Sequence, residues 1–166
     1  MLGSGLAIAS QSRAARPGFF IFSANFINDY LEAVYFKKEE VLLKALAEYG
    51  FPIDSGPVGT MYEGYRKSHE ISKILADAAR QWLNGDEASR TEVIWASSEY
   101  SGVMNKHLEL LKSLIHPLLE QSLSVEDEQK AAVQLNKLAF EEDSPDSLEK
   151  YVKLVKTLEE EVAEWK

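Results

Sequence analysis

The 166-residue chain carries 18 Lys and Arg against 27 Asp and Glu, a formal net charge of -9, with 45% hydrophobic residues and no cysteine. Such an acidic chain repels phosphate backbones and anionic lipid, which argues against nucleic acid and membrane surfaces as partners. Without cysteine there is no disulfide and no thiolate ligand, so a metal would need His, carboxylate or phenolate donors, and the same lack fits a cytoplasmic location.

Residues 1–18 (MLGSGLAIASQSRAARPG) read as a short N-terminal helix remnant and linker. Their apolar run is broken by Gly3, Ser4 and Gly5 and has no charged leader, so no signal peptide is expected. No window reaches the roughly 18 apolar residues of a membrane span. Residues 19–166 read as one helical domain. From Phe19 to Tyr49 apolar residues recur at helical spacing, at Ile27, Leu31, Val34, Tyr35, Leu42 and Leu46, and Gly50 ends the run. A loop with two prolines follows, then a second helix over Val58 to Leu83 closed by Asn84-Gly85. A third pattern runs from Glu87 to Ser122, with a kink expected at Pro117. Ser124 is placed as the N-cap of a fourth segment, and Ser144-Pro145 supplies a cap and a first-turn proline for a fifth. No stretch alternates as a strand does. The pattern predicts an all-α, up-and-down four-helix bundle with extra short C-terminal helices, a fold that builds its sites in the core.

Projection at about 100° per residue picks out the polar side chains that face inward. Glu39 falls about 40° from Tyr35, inside the apolar arc of the first helix, where a lone charge must be paired or bound. On the third helix Val93, Ala96, Tyr100, Val103, Leu111, Leu114 and Leu118 form one stripe, with His107 near its centre. His116 projects about 180° away and should face solvent. On the second helix Met61, Ile71, Leu75, Ala78, Ala79 and Trp82 define the core side. Tyr65 sits on its flank, Gly64 lies nearer the centre, and His69 is about 120° from Leu75, at the edge of what a bundle covers. Three helices thus each direct a donor toward one interior.

Three segments carry a resemblance to a known family: YFKKEEVLLKALAEYGFP, GPVGTMYEGYR and HLELLKSLIHPLLEQSLS. They resemble, in order, the H-x-x-K-E-E helix, the G-P-[IV]-G-x-M-x-x-E-H stretch and the H-I-x-K-E run of the hemerythrin-like, or HHE cation-binding, family. The resemblance implies a four-helix bundle that binds non-haem iron through histidines and carboxylates. Residue by residue, the first H-x-x-x-E falls on Tyr35 and Glu39, the E-H pair on Gly64 and Tyr65, and the second H-x-x-x-E on His107 and Leu111. His69 stands for the second member of an H-x-x-x-H pair, and the histidine of the family's first helix is missing. The implied metal set is Glu39, His107, Tyr35 and Tyr65, which suits a mononuclear iron better than a di-iron pair. The same residues also suit a metal-free hydrogen-bond network, in a bundle that works through protein association. A shortened first helix would leave an apolar seam for a homo-oligomer partner or the C-terminal helix to cover. No independent catalytic signature points to an enzyme.

Overall fold

Pro17, with its fixed φ and absent N–H, opens the first helix in a computed structural model that describes residues 15–142 and 145–165. All regular structure among the described residues is helical, in five helices. Helix α1 comprises Pro17–Phe26, a π-helical stretch Ile27–Tyr35, and Phe36–Glu48. Helix α2 is Gly56–Leu83, and α3 joins Ser89–Leu110, a π-helical turn Leu111–Ile115 and His116–Ser122. Helices α4 (Val125–Glu142) and α5 (Pro145–Glu164) complete the chain. At 18 and 20 residues these last two are full-length helices, not the short additions expected. Most of the supposed N-terminal remnant lies outside the described residues, as does the Ser144 cap, while Pro17 and Gly18, expected as linker, belong to α1. Among the described residues no helix is long and apolar enough to cross a membrane.

The turns follow from local chemistry. After α1, Gly50 takes φ 91° while the Phe51 N–H reaches the Leu46 carbonyl and the Gly50 N–H that of Ala47. After α2, Gly85 takes φ 100° and the Asp86 and Gly85 N–H groups reach Gln81 and Trp82 in the same way. Both are left-handed glycine caps that satisfy orphan carbonyls. In the GPVG segment, a Cβ on Gly59 would lie 2.6 Å from the Asp54 carbonyl carbon, so only glycine lets the loop close on α2. The N-cap expected at Ser124 is present, its Oγ accepting the Asp127 N–H at 3.2 Å.

Helices α2 and α3 pack along most of their length; the first part of α1 lies on α2, and its last part meets α2, α3 and α4. The apolar interior falls into two clusters. One joins Phe19, Phe20 and Ile27 of α1 with Leu75, Trp82, Val93 and Tyr100. The other joins Leu43, Leu46, Val58, Met61, Leu111, Ile115 and Leu119. The C-terminal helix covers the first cluster: Leu158, Val162 and Trp165 are buried in it.

The π-helical stretches correct the expected core. With i→i+5 bonds and about 4.4 residues per turn, they advance the buried face more slowly than an α-helix does. Leu114 and Leu118, expected inside, are therefore replaced by Ile115 and Leu119, and Leu114 is exposed. From Ile27 onward the buried positions of α1 run Ile27, Phe36, Glu39, Leu43 and Leu46, whereas Leu31, Tyr35 and Leu42 are only partly covered and Tyr49 is exposed.

Candidate functional site

The two apolar clusters leave a waist between them, and the polar residues singled out by projection meet there. Glu39 stands on α1 between Ile27 and Leu43, Tyr65 on α2 between Met61 and Ile71, and His107 on α3 between Tyr100 and Leu111. Glu39 is 5% exposed and His107 4%. The His107 Nε2 lies 2.8 Å from Oε2 of Glu39, and the Tyr65 hydroxyl donates to the same oxygen at 2.8 Å. Phe36 closes the cluster, its ring stacked on Tyr65 at 4.5 Å and 5.5 Å from the imidazole. Oε1 of Glu39 is buried and makes no hydrogen bond of good geometry, although the Tyr35 hydroxyl one turn earlier interacts with the same carboxylate.

Electrostatics keep the tyrosines protonated. Burial, then the Glu39 carboxylate, hold the Tyr65 hydroxyl far above the ordinary phenol range. Tyr35 is half-buried at the end of the π-helical stretch, and the same two causes raise it as well. At neutral pH both hydroxyls are hydrogen-bond donors beside an acceptor carboxylate. Gly64 places no side chain at the waist: a Cβ there would sit 3.6 Å from Nδ1 of His107, an ordinary contact.

Of the four residues projected inward, the structure joins Glu39, Tyr65 and His107 directly and sets Tyr35 beside them. His116, projected to face solvent, and His69, projected to the edge of the bundle, are both exposed. His69 nevertheless pairs with a residue that projection missed: its Nδ1 is 2.8 Å from Glu32 Oε2. Glu32 also lies 3.0 Å from Oγ of Ser72, a fully buried serine. One turn earlier on α2, Ser68 Oγ is 3.4 Å from the Tyr100 hydroxyl. A second polar row therefore runs from the α1–α2 contact, at Glu32, His69 and Ser72, to the α2–α3 contact, at Ser68 and Tyr100. Its one visible sign in the sequence is the interval of seven from Glu32 to Glu39, which returns to the same side of a helix.

Whether these side chains suit a metal is decided by the donors themselves. A buried carboxylate oxygen without a well-formed hydrogen bond calls for a proton, a donor or a cation. An imidazole and a phenol already share the other oxygen, and such an oxygen and nitrogen set suits a first-row metal ion. Among the described residues no group of three or more His, Cys, Asp or Glu could hold a metal ion, so Glu39 and His107 would need the tyrosine hydroxyls as further donors. No family model, curated protein or solved structure matches this chain. The chemistry of the waist has to be read from its own atoms.

Proposed function

We propose that this chain is a divergent hemerythrin-like four-helix bundle that binds a single iron ion at its waist. Glu39 and His107 would hold the ion, with Tyr65 and Tyr35 as the flanking oxygen donors. The observation that carries the reading is Oε1 of Glu39, which lacks a hydrogen bond of good geometry and is buried beside an imidazole and a phenol that share the other carboxylate oxygen. A ferric ion there would supply the positive charge that this carboxylate lacks and would favour a phenolate over the phenol. The residues of the chain do the rest: Phe36 and the two apolar clusters exclude water, and the three helices hold the donors in place.

Elemental analysis of protein purified without chelator tests the reading. About one iron per chain, a visible phenolate-to-iron absorption band and loss of both in Glu39→Ala are expected. Colourless protein that takes up no iron when the ion is supplied in either oxidation state overturns it, and assigns the cluster to hydrogen bonding alone.

A further inference from the structure

Nε2 of His107 is committed to Glu39, but its other nitrogen faces elsewhere. A cavity of about 270 Å³ opens between α2 and α3 and is lined by His107 and Gly64. This is close to the lower end, near 300 Å³, of the usual range for small-molecule sites. Its walls are Met61, Ile71, Val103 and Leu110. Its rim carries Glu63, Lys67, Glu99 and Lys106, two charges of each sign. Gly64 is what lets the cavity reach the imidazole, because the nearest atom to a Cβ at that position is Nδ1 itself. In the neutral tautomer that donates Nε2–H to Glu39, Nδ1 presents a lone pair and acts as an acceptor.

We propose that the cavity between α2 and α3 is a binding site for a small, neutral, mostly apolar molecule that donates one O–H or N–H to Nδ1 of His107. The apolar walls select the body of the ligand, and the balanced rim offers no net attraction to either an anion or a cation. Specificity comes from the base of the cavity. A ligand without a donor displaces water from Nδ1 and leaves it unpaired, which is the costly case for a polar group. Glu39 is the positioning residue, since its hydrogen bond fixes which ring nitrogen is left to accept. The acceptor site belongs to the iron-free protein, because a metal on Nε2 would leave the ring proton on Nδ1 and turn it into a donor, so its test uses chelator-treated protein.

Phenol serves as the probe and toluene as the control of the same shape without a donor. Phenol is titrated at neutral pH into protein with ¹⁵N-labelled histidine. We expect saturable binding that moves the Nδ1 resonance of His107 and leaves those of exposed His69 and His116 in place. Toluene should bind about tenfold more weakly, the measure of one hydrogen bond to a buried acceptor. Gly64→Leu and Val103→Phe fill the cavity from opposite helices, and each should remove binding while circular dichroism stays helical. The wild-type titration decides even where a variant does not fold: no saturable His107 response to millimolar phenol overturns the proposal. Toluene binding as tightly as phenol, or undiminished phenol binding by a folded Gly64→Leu or Val103→Phe, does the same.

Discussion

Glu39 shows how one residue couples stability to chemistry. In Glu39→Ala, His107 Nε2 and the Tyr65 hydroxyl both lose their partner inside the core, so a loss of about 1–3 kcal/mol is expected in urea denaturation. Leucine at both Glu39 and His107 leaves only the Tyr65 hydroxyl without its partner, and replacing a buried pair by apolar side chains of similar size is often neutral or better. The double variant should therefore be more stable than Glu39→Ala; a double variant no more stable than Glu39→Ala would contradict this. Tyr65 and Tyr100 report on the same interior through pH. Burial is the main cause that lifts both above the phenol value of 10.0, with Glu39 adding to it at Tyr65. A pKa raised by folding gives stability that is whole below the unfolded value and lost as pH climbs toward the folded one. Tyrosinate absorbance of metal-free protein should thus stay below its full amplitude at pH 10 to 11 and jump as the protein unfolds. Smooth titration of all tyrosines near pH 10 would remove this assignment. Glu39 and His107 were legible in the sequence because each lies within a few residues of apolar neighbours on an ordinary α-helical turn. Glu32 left only the interval of seven to Glu39 as a sign, because the partners that hold it, His69 and Ser72, lie on another helix.

At the scale of elements, the two π-helical stretches decide the phase of α1 and α3. Helix existence, the glycine stops and the Ser124 cap were all legible, since each rests on chemistry within a few residues. The phase was not, because a π-helical turn has no residue signature and is selected by what lies beyond it. In α3 the turn Leu111–Ile115 holds one more residue than the α-helical spacing would. Deleting exposed Ser113 should convert it to an α-helix while Ile115 and Leu119 stay in the core, one position earlier in the chain. Thermal unfolding is expected to move by only a few degrees, on the order of 1 kcal/mol for a chain of this size. Deleting exposed Glu99, on the α-helical part, rotates Tyr100 and His107 by about 100° relative to Val93 and should abolish cooperative unfolding. Equal melting of the two deletion variants would show that the π-helical turn does not carry the phase.

The molecule as a whole is closed by the C-terminal helix, one of the two covers expected for the apolar seam, through residues that sequence reading did not single out. Helix α5 is amphipathic, but amphipathicity does not say which surface it covers. The structure brings Trp165 to 5.1 Å from Phe19 and 6.3 Å from Phe20 between ring centroids, so the last described residue completes the cluster that the start of α1 begins. These contacts span nearly the full chain, and their loop-closure cost is offset by the burial of Leu158, Val162 and Trp165 together. Trp165 also carries a cost of its own, because its buried Nε1–H has no partner. Two substitutions separate the terms. Trp165→Ala removes the ring and leaves a cavity, and should cost about 3–5 kcal/mol. Trp165→Phe keeps an aromatic ring against Phe19 and deletes the orphan donor, so it should cost much less, within about 1.5 kcal/mol. Urea denaturation followed by far-UV circular dichroism measures both, and a single coincident transition in each would show α5 unfolding with the rest. Wild-type stability in Trp165→Ala would mean that α5 is an appendage, and that the apolar seam over Phe19 and Phe20 is stable without it.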